Sequence, residues 1–124
     1  GESIMTFLRQ DGDLISAPFG SNVINRGQLV TVDAAGNAKA AEAGAKPFLG
    51  VAMENTSSLV KDEVRIYRTG VFQLAIDSVA AADLGKAVAI ATPDKVTTTV
   101  SGTAPAIGQI VEVIDNKTVG VRLS

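Results

Sequence analysis

Two pairs of carboxylates are the residues of this chain that most resemble a reactive site. Glu54 and Glu112 occupy equivalent positions in an internal repeat, and two such carboxylates could act as a general acid and a general base if they met in a cleft. Asp11 and Asp13 flank Gly12 as at the start of a calcium loop, but the glycine and the distal glutamate of an EF-hand are not in register. Turns and strand ends also carry such residues, and we expect these structural roles here.

The residue types that are missing exclude most other chemistry. The chain has no histidine and no cysteine, so His–Cys zinc sites, thiol nucleophiles and Ser–His–Asp triads cannot form. Neither glycine-rich phosphate-loop pattern occurs. We therefore expect no catalytic residue, no cofactor and no metal. The net charge of −2 disfavours nucleic-acid binding through a basic patch, and the longest uncharged stretch, residues 96–111, is too polar to span a membrane.

The few aromatic residues favour a core or an interface over ligand stacking. The chain has no tryptophan, a single tyrosine, Tyr67, and four phenylalanines. We interpret Phe7, Phe19, Phe48 and Phe72 as core or interface residues, because sugar platforms normally stack on Trp or Tyr. A ligand- or carbohydrate-binding β module of a fibre or secreted protein stays open as an alternative, and it would require these rings to form an exposed platform.

Alternating apolar and polar residues predict strands over most of the chain. The alternation is clearest in residues 63–77, which predict one long strand with a bend or bulge at Gly70. Further predicted strands are residues 13–17, 28–33, 48–54, 86–92, 107–115 and 118–123. Residues 33–37 and 115–117 have the composition of turns, and residues 38–45 that of an alanine-rich loop. Residues 79–84 predict one short helix, with Ser78 as its N-cap and Gly85 at its end.

An internal repeat indicates that the fold is built from two similar halves. Sliding the sequence on itself by 58 residues (85 − 27) aligns four glycine or proline pairs: Gly27 with Gly85, Gly44 with Gly102, Pro47 with Pro105 and Gly50 with Gly108. The repeat spans about residues 27–67 and 85–123. Because glycine and proline control backbone geometry, we interpret the glycines as structural turns or close backbone contacts, namely Gly27, Gly50, Gly70, Gly85 and Gly108.

These patterns predict a mainly β fold, a small antiparallel β-barrel or sandwich of two similar halves with one short helix. Residues 1–20 lie outside the repeat and are predicted to form an extended N-terminal arm, followed by a single β domain over residues 21–124. A β module without visible chemistry usually works through its surface, as a binding or structural part.

Short elements along nearly the whole chain resemble one known family. They are Gln10-Asp11-Gly12-Asp13-Leu14-Ile15, then Pro18, the aliphatic stretch 23–32, Arg68-Thr69-Gly70-Val71-Phe72, Ala106-Ile107-Gly108 and Val119-Gly120-Val121-Arg122-Leu123. In this order they resemble the bacteriophage capsid decoration, or cement, proteins of the small β-rich type. The alanine-rich residues 38–45 have no counterpart in that pattern.

The resemblance implies a non-enzymatic structural protein. Such a protein binds the outer surface of the phage head where capsomers meet, usually as a homotrimer, and braces the shell against the pressure of the packaged DNA. The implied partner is the major capsid protein, with no nucleic acid and no membrane. The implied location is the virion, after synthesis in the host cytoplasm. Apolar residues such as Val23 and Val71, which we do not expect a small barrel to bury alone, would also favour a homotrimer.

The N-terminal arm supplies the candidate capsid-binding residues. It carries Ile4, Phe7 and Leu8, followed by Arg9, and an arm laid along a partner as an added strand would bury these side chains. The alternative is that residues 4–9 form an edge strand of the protein's own sheet.

Overall fold

The computed structural model describes residues 14–45 and 47–123, and these residues form ten strands and two short 3-10 turns. The turns are Thr56–Ser58 and Ala81–Asp83. The strands are β1 (Leu14–Pro18), β2 (Leu29–Val32), β3 (Ala38–Ala40), β4 (Phe48–Ala52), β5 (Glu63–Tyr67), β6 (Val71–Ile76), β7 (Ala87–Thr92), β8 (Lys95–Thr97), β9 (Gly108–Asp115) and β10 (Thr118–Leu123). The mainly β fold is thus confirmed.

The two halves of the chain repeat one strand order. Strands β1 to β5 form an open sheet in the order β1-β5-β4-β2-β3, and strands β6 to β10 form a closed barrel in the order β6-β10-β9-β7-β8. Adding five to each strand number of the open sheet gives the order of the barrel. The barrel closes through a parallel pairing of β6 with β8, whereas the structure shows no pairing between β1 and β3 among the residues it describes. All other pairs are antiparallel.

Backbone hydrogen bonds also repeat at the offset of 58 residues. In each half a glycine with positive φ (89° at Gly27, 92° at Gly85) precedes the second strand. Two bonds tie this segment to the strand beside it, and a third closes a turn within the segment. In the first half the amides of Gly27, Ala52 and Gln28 donate to the carbonyls of Ala52, Gln28 and Asn25 at 2.9, 2.9 and 3.0 Å. In the second half the amides of Gly85, Ile110 and Lys86 donate to the carbonyls of Ile110, Lys86 and Asp83 at 2.9, 2.9 and 3.0 Å.

Two hydrophobic clusters lie on opposite faces of the open sheet. One lies inside the barrel and also receives Leu29 and Val51 from the open sheet. The other lies on the opposite face of that sheet and includes the neighbouring residues Val30 and Ala52. Because successive side chains of a strand point to opposite faces, β2 and β4 are buried on both sides. The barrel and the open sheet therefore pack directly against each other.

The predicted long strand is divided into two strands, and this prediction was wrong. Residues 63–77 form β5 in the open sheet and β6 in the barrel, with a bend at residues 68–70 between them. Gly70 has a φ of 123°, which is outside the range of an ordinary strand residue. This bend is the link between the two halves of the fold.

The remaining differences from the predicted elements are short. The predicted helix over residues 79–84 is a single 3-10 turn, Ala81–Asp83, in which the Asp83 side chain accepts a hydrogen bond from the Ala80 amide. The residues 38–45, which we predicted to be a loop, begin with strand β3, and β8 was not predicted at all. The strand predicted over residues 13–17 is observed as β1, paired with β5.

Side-chain hydrogen bonds explain both predicted turns. Asp33 Oδ1 accepts from the amides of Ala35 and Asn37, and Asp33 Oδ2 accepts from the Asn22 side chain at 2.9 Å. The bond from Asn22, followed by that from the Asn37 amide, lowers the pKa of Asp33. In the β9–β10 hairpin, Asp115 Oδ1 accepts from the Lys117 amide at 2.8 Å. Such local bonds hold a turn without help from the rest of the fold.

Candidate interaction surface

A cleft lies beside the bend that joins the two halves. Its walls include the rings of Tyr67 at the end of β5 and Phe72 in β6, whose centroids are 5.4 Å apart with the planes tilted by 46°. The end of β4 and the loop before β2 complete it through Val51, Met53 and Arg26, and its volume is about 440 Å³. Both rings are partly buried and tilted, so they form a cleft wall rather than a flat stacking platform.

One exposed arginine, Arg26, lines this cleft, and two more lie on neighbouring parts of the backbone. Arg68 follows Tyr67 in the bend, and Arg122 pairs with Val71, the neighbour of Phe72. None of the three forms an ion pair with another residue that the structure describes. Arg26 therefore adds a positive charge, with no ionic partner among the described residues, to the apolar wall of the cleft, although the chain as a whole is slightly acidic.

The exposed apolar residues include both valines named as candidates for contacts between protomers. Val23 is 70% exposed and Val71 is 53% exposed, although the residues next to them, Ile24 and Phe72, are buried or partly buried. Val71 precedes Phe72 on β6, and its side chain points to the other face of the strand, toward Gly120 of β10. Contiguous patches of exposed apolar side chains are typical of surfaces that another protein covers.

The candidate arm residues Ile4, Phe7, Leu8 and Arg9 lie outside the described residues. The described chain begins at Leu14, the first residue of β1, which pairs with Tyr67 of the cleft. Among the described strands β1 pairs with β5 alone, and its other edge faces no described strand. The described part of the chain therefore begins beside the cleft.

The two glutamates of the repeat lie in different environments. Both oxygens of Glu54 accept hydrogen bonds from Arg65, one from its guanidinium and one from its amide, each at 3.0 Å. The side-chain bond is the main cause of the lowered pKa of Glu54, so this carboxyl group stays ionised at neutral pH and is poorly suited to donate a proton. Glu112 is exposed on β9 of the barrel, where its side chain lies beside Gly120 of β10.

The glycines of the repeat differ in how the backbone constrains them. Gly27, Gly50, Gly70 and Gly85 all have positive φ, whereas Gly108 does not. A Cβ atom at Gly50 would collide with the carbonyl oxygen of Tyr67 on the neighbouring strand, and one at Gly108 would collide with the carbonyl oxygen of Arg122. The sequence singled out Gly50 and Gly108 because they occupy equivalent positions in the repeat.

Sequence reasoning missed the cleft and its arginine. Arg26 and Met53 are far from Tyr67 in the chain, and no spacing pattern connects them. The structure shows no cluster of three or more potential metal ligands within the described residues. Within those same limits it contains no helix long and apolar enough to cross a membrane.

Comparison with known proteins identifies the family. A family model described as phage cement protein matches residues 10–124, which is nearly the whole chain and includes both halves of the fold. A search of curated proteins finds no match. The match confirms the resemblance that the sequence elements indicated, and the chain belongs to the phage cement protein family.

Proposed function

We propose that the protein binds the outer surface of an assembled phage head where capsomers meet, and that it stabilises the shell without catalysing a reaction. The observation that carries this proposal is the family match over residues 10–124, which implies a structural role associated with the capsid. The partner is the major capsid protein of the head. The exposed side chains of Val23 and Val71 are consistent with a protein that works by contact.

Binding to the finished shell is sufficient for the stabilisation. A protein that binds the assembled state and not the separate subunits shifts the equilibrium toward assembly by mass action. Several copies joined around one symmetry axis add their contacts as avidity, so each individual contact can be weak. A cement protein of this kind needs no cofactor.

Co-sedimentation tests the proposed partner. Purified protein is mixed with expanded, DNA-free capsids of the source phage and centrifuged, and unexpanded shells serve as the control. We expect the protein to pellet with expanded shells up to a fixed number of copies and to raise the temperature at which those shells rupture. Protein that stays in the supernatant at every concentration contradicts the proposal.

We further propose that the protein acts as a homotrimer, because the described surface leaves Val23 and Val71 exposed and a trimer interface would cover such residues. Light scattering is expected to give three times the chain mass of 12.7 kDa at high concentration. Capsid-bound copies are expected in groups of three by electron microscopy. A monomer in solution together with single copies on the shell rules the trimer out.

A further inference from the structure

The cleft beside the bend combines apolar walls with one unpaired cation. Tyr67, Phe72 and Met53 line it, and the guanidinium group of Arg26 has no ionic partner among the residues that the structure describes. The position of Arg26 is held by its amide, which donates a hydrogen bond to Asn55 Oδ1 at 2.7 Å. A ligand that fits this cleft presents an apolar side chain to the rings and a carboxylate to the guanidinium group.

The loop before β5 carries both of these groups at its tip, residues 59–63. Val60 is 105% exposed, the highest value among the large apolar side chains of the described chain. Asp62 and Glu63 are exposed beside it, and neither forms an ion pair with another described residue. The tip thus has two negative charges against one positive charge, at Lys61, and its chemistry complements that of the cleft.

The tip is anchored on both sides of Val60. Leu59 packs against the hydrophobic cluster that contains Val30 and Ala52, and its amide donates to the carbonyl of the first residue of the preceding 3-10 turn at 3.1 Å. On the other side the carbonyl of Asp62 accepts from the amide of residue 19 at 3.2 Å. A loop that is already held in one conformation loses little entropy when it binds, so it is well suited to form a contact.

The tip and the cleft of one chain lie toward opposite ends of β5. Glu63 begins this strand and Tyr67 ends it, and four residues of extended strand span about 13 Å. The anchored tip is therefore held away from the cleft of its own chain and is available to the cleft of another copy. Such a contact is heterologous, because it joins different surfaces of the two copies, and around a three-fold axis it uses one tip and one cleft of every copy.

We propose that the tip of one copy enters the cleft of the next copy in a closed ring of three. Val60 packs against the rings of Tyr67 and Phe72, and the carboxylates of the tip pair with Arg26. This inference rests on the homotrimer proposed above and names the two surfaces that the trimer joins. The contact covers the most exposed apolar side chain of the described chain and neutralises the cation of the cleft.

Cysteine cross-linking tests the contact, because the chain has no cysteine of its own. The single variants Val60→Cys and Met53→Cys are mixed at low concentration, concentrated and oxidised. We expect a covalent heterodimer, identified by its mass, since a disulfide requires Cα atoms within about 7 Å. The double variant Val60→Cys/Met53→Cys is expected to give covalent species that end at three copies. Ala87→Cys replaces Met53→Cys in the control mixture, because Ala87 is exposed on the barrel and should not meet the tip.

Charge reversal tests the ionic part of the contact. Arg26→Glu is expected to weaken self-association by about tenfold or more, because it places a carboxylate opposite those of the tip. Combining it with Asp62→Lys/Glu63→Lys should restore association, a rescue that a folding defect would not show. Lys117→Glu makes the same change of charge in the exposed β9–β10 hairpin and should leave association unchanged. Analytical ultracentrifugation measures association, and circular dichroism verifies the fold.

The outcomes separate this inference from the proposed function. A wild-type trimer whose cysteine variants give no heterodimer, or whose association survives Arg26→Glu, overturns the contact. Covalent species that stop at two copies or continue past three overturn the closed ring. A wild-type protein that never associates and yet pellets with expanded capsids overturns both the trimer and this contact, while capsid binding stands. Heterodimer formation together with rescue by the charge swap supports the proposal.

Discussion

Deletion of residues 1–9 is expected to abolish capsid binding while leaving the domain folded. Both hydrophobic clusters of the described structure are built from residues of the β domain and of β1, which starts at Leu14. The deletion therefore leaves every described residue of both clusters in place, and we expect the melting temperature to change by only a few degrees, on the order of 1 kcal/mol of stability. Binding is expected to fall because Ile4, Phe7, Leu8 and Arg9 are the proposed capsid contacts.

Co-sedimentation with expanded capsids measures the effect, and a thermal melt of the same sample measures stability. A matched pair of full-length variants refines the test: Phe7→Ser/Leu8→Ser should bind weakly, whereas Thr6→Ser/Gln10→Asn should bind like wild type. A folded deletion variant that still binds fully would leave the arm without a role in docking. Loss of the folded state would instead support residues 4–9 as an edge strand of the protein's own sheet.

Replacing Gly50 by valine is expected to lower the free energy of unfolding by about 3 kcal/mol or more. Gly108→Val is expected to lower it by somewhat less. At Gly50 two causes combine, a φ of 144° and a collision between the new Cβ and the Tyr67 carbonyl oxygen. At Gly108 only the collision with the Arg122 carbonyl oxygen acts. Both strand pairs would have to separate locally to admit the side chain.

Thermal and denaturant unfolding measure these changes, with Ala87→Val as the control. Ala87 is exposed in strand β7, so the same side chain there should leave stability nearly unchanged. A difference of about 3 kcal/mol would lower the melting temperature of a domain of this size by roughly 10 °C. Unchanged melting of both glycine variants would show that these positions tolerate a Cβ and that their equivalence in the repeat has another origin.

Local chemistry explains which elements could be predicted from the sequence. Strand β10 was predicted with its observed ends, and the turns at residues 33–37 and 115–117 are held by aspartate side chains that bond to nearby amides. The repeat was visible because each half needs glycine at the same points, where a positive φ or a close backbone contact excludes other residues. The family was visible because its elements are short segments whose order along the chain is itself a pattern.

The sequence by itself determined most of the strands and the division into two similar halves, whereas the tertiary structure decided how those strands pair. Residues 63–77 keep one alternation throughout, so the pattern could not show that Gly70 sends β5 and β6 into different sheets. Strands β3 and β8 have three residues each, too few for a periodic signal, and the parallel β6–β8 pair that closes the barrel joins distant segments. Arg26 and Tyr67 are also distant in the sequence, and they come together only in the folded cleft. Alternation is a property of neighbouring residues, while pairing and clefts depend on contacts between remote ones, and only folding the whole chain specifies those contacts.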